Sequence, residues 1–299
     1  MTSGVKTEMI NGKTRVCGVM GYPVGHSMSP LMHNLYARRT GTDLEYVPFS
    51  VEPGRLEAAV RGAFGLNILG LNVTVPHKQE VMKYVCETDE AARAIGAVNT
   101  LVRMDSGYKG YNTDAPGLLR AMREQQISIG GETCILLGAG GAAKAAAYIL
   151  AREGAARVYL LNRSVGRAGE LAEYINDLFG RAVMVPMVTD GWREIPETSC
   201  LAVQTTSVGM YPDCQDVVIG EPEFYRKLHT AVDVIYTPME TRFMKLAKEA
   251  GAKTMNGLSM LLYQGVIAFE LWNSGVTVPE NVIEEAREQL LDFLEGRAG

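Results

Sequence analysis

Thr133-Cys134-Ile135-Leu136-Leu137-Gly138-Ala139-Gly140-Gly141-Ala142-Ala143 is the stretch on which the fold turns. An apolar strand-like run ends abruptly in small residues, and a helix-like run continues from them to about Arg152. Arg157 to Leu161 then reads as the next strand, so the segment forms a βαβ unit of about 30 residues. In such a unit the backbone N–H groups of the turn and the positive end of the helix dipole face any pyrophosphate placed there. Ala143 stands where a third glycine is usual and still permits close packing of helix on strand. Small residues at a strand-to-helix turn also serve packing alone, but a strand before and a helix after favour dinucleotide binding by Gly138, Ala139, Gly140, Gly141, Ala142 and Ala143.

The end of the next strand bears on which dinucleotide is held. A site for NAD usually places Asp or Glu there, on the ribose 2'-hydroxyl. Here the residues are Asn162-Arg163-Ser164, with Arg167 one helical turn further on. Two guanidiniums and a hydroxyl suit a 2'-phosphate, so NADP(H) is preferred over NAD. The alternative is that Arg163 and Arg167 are solvated charges at a helix start.

Outward from this unit, strand-like and helix-like segments alternate, the signature of an α/β protein with mostly parallel sheets. Before it, strands are predicted at Arg15 to Met20, Glu45 to Ser50, Leu69 to Val75 and Ala97 to Met104. Helices are predicted at Pro30 to Arg39, Arg55 to Phe64, Lys78 to Val85, Asp89 to Ala94 and Thr113 to Gln125. Asp105 to Gly110 reads as a polar turn and a natural domain boundary. After the unit come strands at Val183 to Pro186, Leu201 to Gln204 and Ala231 to Ile235, a helix at Thr241 to Ala250, and closing helices at Leu258 to Asn273 and Pro279 to Glu295. With 299 residues, 47% of them hydrophobic, the chain is long enough for two domains. The expected organisation is residues 1–113 plus 257–299 as an α/β substrate domain, and 114–256 as a Rossmann-type, doubly wound dinucleotide domain. The C-terminal helices return to the first domain, and a cleft separates the two.

A net charge of -5 with both signs interspersed leaves no electrostatic footprint for nucleic acid or an anionic membrane surface. The five cysteines lack a CxxC pair and read as buried, reduced thiols of a cytoplasmic protein. Neither a secretory leader nor a membrane span is indicated, and the first dozen residues read as a frayed tail. The expected partner is a small molecule, with the chain acting as a monomer or homodimer.

Gly21-Tyr22-Pro23-Val24-Gly25-His26-Ser27-Met28-Ser29-Pro30 joins the first strand to the first helix. Ser29 alone reads as an N-cap. Ser27 and Ser29 together beside a helix start also make a donor site the size of a carboxylate. His26 and His33 have no partner cluster of His, Cys or carboxylates, so no metal is expected. Asn72-Val73-Thr74-Val75-Pro76-His77-Lys78 places a lysine after a strand, at the mouth of a sheet, and Asp114 closes Gly110-Tyr111-Asn112-Thr113-Asp114. A lysine and a carboxylate near a dinucleotide can supply the proton that accompanies hydride transfer.

On these motifs the chain resembles the shikimate dehydrogenase family. The likeness runs from Gly18 to the last helix, through G-Y-P-V-G-H-S-M-S-P, N-V-T-V-P-H-K, G-A-V-N-T (Gly96 to Thr100), N-T-D, G-A-G-G-A-A, N-R-S, D-x-x-Y-x-P (Asp233 to Pro238) and N-G-L-S-M-L-L-Y-Q-G (Asn256 to Gly265). It implies that Ser27 and Ser29 bind the substrate carboxylate, that Asn72, Thr74, Lys78, Asn99, Asp114 and Gln264 surround the ring hydroxyls, and that Tyr236 lies near the carboxylate end. It implies further that Asn162, Arg163, Ser164 and Arg167 join the glycine turn in holding NADP, with Val234, Gly257 and Met260 near the nicotinamide. The implied activity is reversible NADPH-dependent reduction of 3-dehydroshikimate to shikimate in aromatic amino-acid biosynthesis. Lys78 would pass the proton and Asp114 would position the hydroxyl or share that proton, as a coupled pair. Without the family, Asn99 could satisfy a turn, Gln264 could lie on a polar helix face, and Met260 could belong to a core stripe.

Three positions depart from the family pattern: Gln204 replaces an asparagine, Ala115-Pro116 follow Asp114 where glycine is common, and Ser259 stands for a glycine beside Met260. Rival readings are an enzyme that also oxidises quinate, with NAD or NADP, a catalytically silent metabolite sensor, and a folate-type dehydrogenase of similar plan.

Overall fold

A computed structural model describes residues 10–296 of the chain. In chain order the elements are β1 (Arg15–Gly21), α1 (Ser29–Thr40), β2 (Leu44–Ser50), α2 (Leu56–Gly65), β3 (Gly70–Val73), a 3-10 helix (Glu80–Tyr84), β4 (Glu87–Thr88), α3 (Glu90–Ile95), β5 (Thr100–Met104) and β6 (Gly107–Tyr111). There follow α4 (Asp114–Glu124), β7 (Thr133–Leu137), α5 (Gly141–Arg152), β8 (Arg157–Asn162), α6 (Val165–Phe179), β9 (Met184–Val188) and a 3-10 helix (Thr189–Glu194). The last are β10 (Cys200–Gln204), α7 (Pro222–Tyr225), β11 (Leu228–Asp233), α8 (Arg242–Glu249), β12 (Lys253–Met255), α9 (Leu258–Trp272) and α10 (Glu280–Leu294). The first nine residues of the expected N-terminal tail lie outside the described residues, and Gly12 and Lys13 form a turn.

The chain divides into two compact units, Met1–Thr113 with Gln264–Gly299, and Asp114–Tyr263. The return to the first unit therefore falls inside α9, after Tyr263, rather than at residue 257. The tract Asp105 to Gly110 is not the boundary. Only Asp105 and Ser106 turn, and the rest enters β6, antiparallel to β5. The strand is hard to see in sequence because its inward positions are Tyr108 and Gly110. Gly110 has to be small, since a Cβ there would meet Val98 at 2.7 Å.

The first unit holds a mixed sheet in the order β2-β1-β3-β5-β6-β4. β1 runs parallel to β2 and β3, whereas β5 is antiparallel to β3 and β6. The carboxyl ends of β1, β3 and β6 and the start of β5 thus share one edge. The C-terminal half of α9 packs on this sheet: Trp272 Nε1 donates to the Leu101 carbonyl at 2.9 Å, and its indole occupies the space a side chain at Gly70 would need.

The second unit holds an all-parallel sheet in the order β12-β11-β10-β7-β8-β9. Numbered from β7, this is the 3-2-1-4-5-6 order of a doubly wound sheet, with the switch point between β7 and β10. β4 and β12, at two and three residues, are too short to show a period and are absent from the sequence reading. No helix among the described residues is long and apolar enough to cross a membrane.

Candidate active site and dinucleotide cradle

In the first unit, main-chain bonds bring the motifs to the shared edge. Thr74 N–H donates to the Met20 carbonyl, Tyr22 N–H to Val75 and Val51 N–H to Gly21, so the loops after β1 and β3 lie side by side. Gly21 must be glycine because the methyl of Thr74 fills its Cβ position. In the first of these loops Met28, not Ser29, is the N-cap of α1, and it makes no side-chain capping bond. Ser29 is buried as the first helical residue, and its N–H donates to Ser27 Oγ at 3.3 Å. Both hydroxyls therefore stand at an uncapped helix start, where donors are in surplus.

The second loop carries Lys78. His77 N–H donates to the Thr74 carbonyl and closes a turn, while the buried His77 ring bonds the Val51 carbonyl through Nε2 at 2.7 Å. Val98 N–H donates to the Lys78 carbonyl at 2.8 Å. Lys78 is thus fixed beside the segment that bears Asn99, and its side chain is half-buried.

Asn72 and Asn99 belong to one buried polar network. Asn72 Nδ2 donates to the Asn99 carbonyl (3.3 Å) and to Thr100 Oγ1 (3.1 Å). Asn99 Oδ1 accepts from Thr113 N–H at 2.7 Å, and Asn99 Nδ2 donates to Thr113 Oγ1 at 2.9 Å. Asn99 therefore does satisfy a turn, the one that delivers the chain to Asp114 at the first position of α4. Pro116 is accommodated in the first turn of that helix, where its missing N–H removes no bond. Gln264 is buried, and a Cβ on the neighbouring Gly265 would touch Met32 and His33, so this part of α9 lies against α1. Asp114 and Tyr236 belong to the second unit, and the other proposed substrate contacts to the first. Tyr46, Thr100 and Thr113 complete the network. The two threonines sit inside the motifs G-A-V-N-T and N-T-D, which gave them no role of their own, and no sequence signal marked Tyr46, because an isolated Tyr in a strand is ordinary.

In the second unit Gly138 follows β7 with φ +105°, a region that disfavours side chains, and a Cβ there would meet Thr205 and Thr206 at 3.0 Å or less. At Gly140 and Gly141 a Cβ would meet nothing within 4 Å, and the N-terminus of α5 has no side-chain cap. Ala143 is fully buried beneath it. Unsatisfied N–H groups facing open space are what a pyrophosphate requires, and these residues fit one. At the end of β8, Asn162 Nδ2 donates to the Ser164 carbonyl at 2.9 Å, and Ser164 caps α6 by accepting from Arg167 N–H. Arg163 and Arg167 are exposed and form no ion pair with any described residue. Val234 and Gly257 touch: Gly257 N–H donates to the Ile235 carbonyl, and a Cβ on Gly257 would fall on the Val234 carbonyl. Met260 is half-exposed, which does not fit a core stripe.

Gln204, buried at the end of β10, organises its surroundings. Its Nε2 donates to the Thr206 and Val208 carbonyls at 3.2 Å and reaches Asp233 Oδ1 at 3.5 Å, while its Oε1 accepts from Thr206 N–H. Asp233 also accepts from Ile235 N–H and from the Thr241 hydroxyl. With no cation to offset it, burial raises its carboxyl to about 6. Among the described residues, no group of three or more His, Cys, Asp or Glu could hold a metal ion.

Fold and cradle together define a two-unit α/β protein with a Rossmann-type dinucleotide domain. The family model of the shikimate dehydrogenase substrate binding domain matches residues 19–101, and that of the shikimate 5'-dehydrogenase C-terminal domain matches residues 257–286. A shikimate dehydrogenase (NADP(+)) of Desulforamulus reducens is 46% identical over 92% of this chain and 94% of its own. A shikimate dehydrogenase solved in complex with NADP+ superposes with a TM-score of 0.85 at 38% identity, covering 94% of this chain and 97% of its own. That of Thermus thermophilus, solved with NADP(H) and shikimate, gives 0.80 at 34% identity over 92% and 99%. The chain belongs to the shikimate dehydrogenase family.

Proposed function

We infer that the protein is an NADP(H)-dependent oxidoreductase that reversibly reduces 3-dehydroshikimate to shikimate. This assignment stands on one observation: a lysine pinned through its own carbonyl to Val98 lies beside two carboxamides, Asn72 and Asn99, on one sheet edge, with the serine pair on the adjoining loop. Ser27 and Ser29 take the carboxylate at the start of α1. Asn72, Thr74, Asn99 and Gln264 surround the ring hydroxyls, and Tyr236 serves the carboxylate end. Bound over Gly138 to Ala143, NADPH supplies hydride. Arg163, Ser164 and Arg167 hold its 2'-phosphate, Asn162 fixes their loop, and Val234, Gly257 and Met260 wall the nicotinamide. Lys78 Nζ gives its proton to the oxygen on which charge develops in reduction and takes it back in oxidation, and Asp114 positions that oxygen. The same assignment takes the protein as a cytoplasmic monomer or homodimer, whose size ultracentrifugation measures.

Initial rates with shikimate and quinate, each with NADP and NAD, test the substrate and cofactor, and efficient NAD-dependent quinate oxidation would overturn the assignment. General acid-base assistance is worth on the order of 10²- to 10⁴-fold, so K78A is expected to lose about that much kcat with KM little changed. Near-normal turnover in K78A would refute the role of Lys78.

A further inference from the structure

Tyr46 lies in the middle of β2, is fully buried, and has no role in the assignment above. One side chain clamps its backbone from both sides: Asn34 of α1 donates to the Tyr46 carbonyl at 3.0 Å and accepts from its N–H at 2.7 Å. The phenol ring stacks on His33 at 4.2 Å, with the planes 10° apart. Its hydroxyl donates to Asn72 Oδ1 at 2.7 Å.

The geometry dictates the direction of that last bond. Asn72 Nδ2 faces the Asn99 carbonyl oxygen, which can only accept. Exchanging the oxygen and nitrogen of the carboxamide would set two acceptors against each other, so Oδ1 must face Tyr46 and the phenol must be the donor. Burial holds that phenol well above its ordinary range, so it keeps its proton at any working pH. Ser29 also comes within hydrogen-bonding reach of the phenol, and the stacked His33 is pushed down to about 3 by burial, against a smaller opposing effect of the nearby Asn72. It is a neutral stacking partner, and neither ring nitrogen finds a hydrogen-bond partner among the described residues.

We propose that Tyr46 is a positioning residue for the hydroxy-acid ligand. It holds Asn72 so that both carboxamide hydrogens are spent on Asn99 and Thr100 and an Oδ1 lone pair is what remains to offer. Asn72 is then an acceptor only, and the ligand group that meets it must be a hydroxyl donor. A carbonyl or ether oxygen at that place finds no hydrogen. This discriminates a ring position that stays hydroxyl throughout the reaction from the position that alternates between carbonyl and hydroxyl. The proposal rests on the assignment of Asn72 to the ligand.

The test is Y46F, which keeps the ring and its stacking and removes only the hydroxyl. The expected result is a KM for shikimate raised about tenfold, the effect of one hydrogen bond with its partner left buried. Turnover should stay within about threefold, KM for NADP should not change, and the thermal midpoint should move by only a few degrees. N72A and the double variant Y46F/N72A separate the causes. If Tyr46 acts through Asn72, the double variant has the KM of N72A alone. Additive effects, or a normal KM in Y46F beside a raised one in N72A, would overturn the proposal, as would a Y46F protein that loses turnover and stability together. A normal KM in N72A would instead overturn the assignment of Asn72 to the ligand, and this proposal with it.

Discussion

Asp233 offers the sharpest test of how the dinucleotide unit is built. Its carboxylate is fully buried at the end of β11 and accepts from Ile235 N–H, the Thr241 hydroxyl and Gln204 Nε2, all neutral donors. Burial raises its pKa to about 6, above the roughly 3.9 of an unfolded chain. A group whose pKa rises on folding favours the fold most when protonated, so its contribution is fully present below about pH 4 and is lost as pH climbs through 6. A difference of roughly 2 units is worth about 3 kcal/mol, and about half of that has been lost by pH 5. Replacing Asp233 by Asn removes the titration. The amide oxygen can still accept from Ile235 and Gln204, and the amide nitrogen can donate to the Thr241 oxygen, so the substitution costs about one hydrogen bond, ~1 kcal/mol. D233N should therefore gain on wild type by about 1.4 kcal/mol between pH 5 and pH 8. Urea unfolding of both proteins at the two pH values measures this. A difference between the two proteins that does not change with pH would refute the claim that the carboxyl is held near 6.

Two further outcomes follow from the same geometry. Because Arg163 and Arg167 are exposed and make no ion pair with described residues, R163A/R167A should raise KM for NADPH by about 10- to 100-fold, the range for lost charge-assisted bonds. Rates with NADH should change by less than about twofold, and an equal loss with both cofactors would assign these arginines to the fold instead. Burial pushes the Cys17 and Cys134 thiols far up and that of Cys200 to about 11, whereas Cys86 is exposed and Cys214 half-buried. A thiol reagent at pH 8 should accordingly label Cys86 first, then Cys214, and the others only after unfolding, as mass spectrometry of the labelled peptides would show.

The cysteines also illustrate how far the sequence could be read. All five read as buried, and Cys17, Cys134 and Cys200 are, but Cys214 is half-buried and Cys86, between Val85 and Glu87, is exposed, because it follows a 3-10 helix rather than lying within a strand. The glycine turn was legible because strand, turn and helix are contiguous and each contributes a local signal. Ser29 looked like an N-cap because its residue type is the usual one, and only the helix geometry moved the cap to Met28. β6 was hidden by its glycines, and β12 by its length.

The alternation of strand and helix, the glycine-rich turn at Gly138 to Ala143 and the ordered motifs that mark the family can be read along the chain, since all of these are periodic or contiguous in it. The order of strands, the acceptor-only state proposed for Asn72 and the raised carboxyl of Asp233 come from the folded arrangement. Each depends on groups far apart in sequence, such as Tyr46 with Asn72 and Gln204 with Asp233, meeting where water is excluded. There, unlike in water, every donor must find an acceptor, and that requirement fixes which atoms remain to meet a ligand.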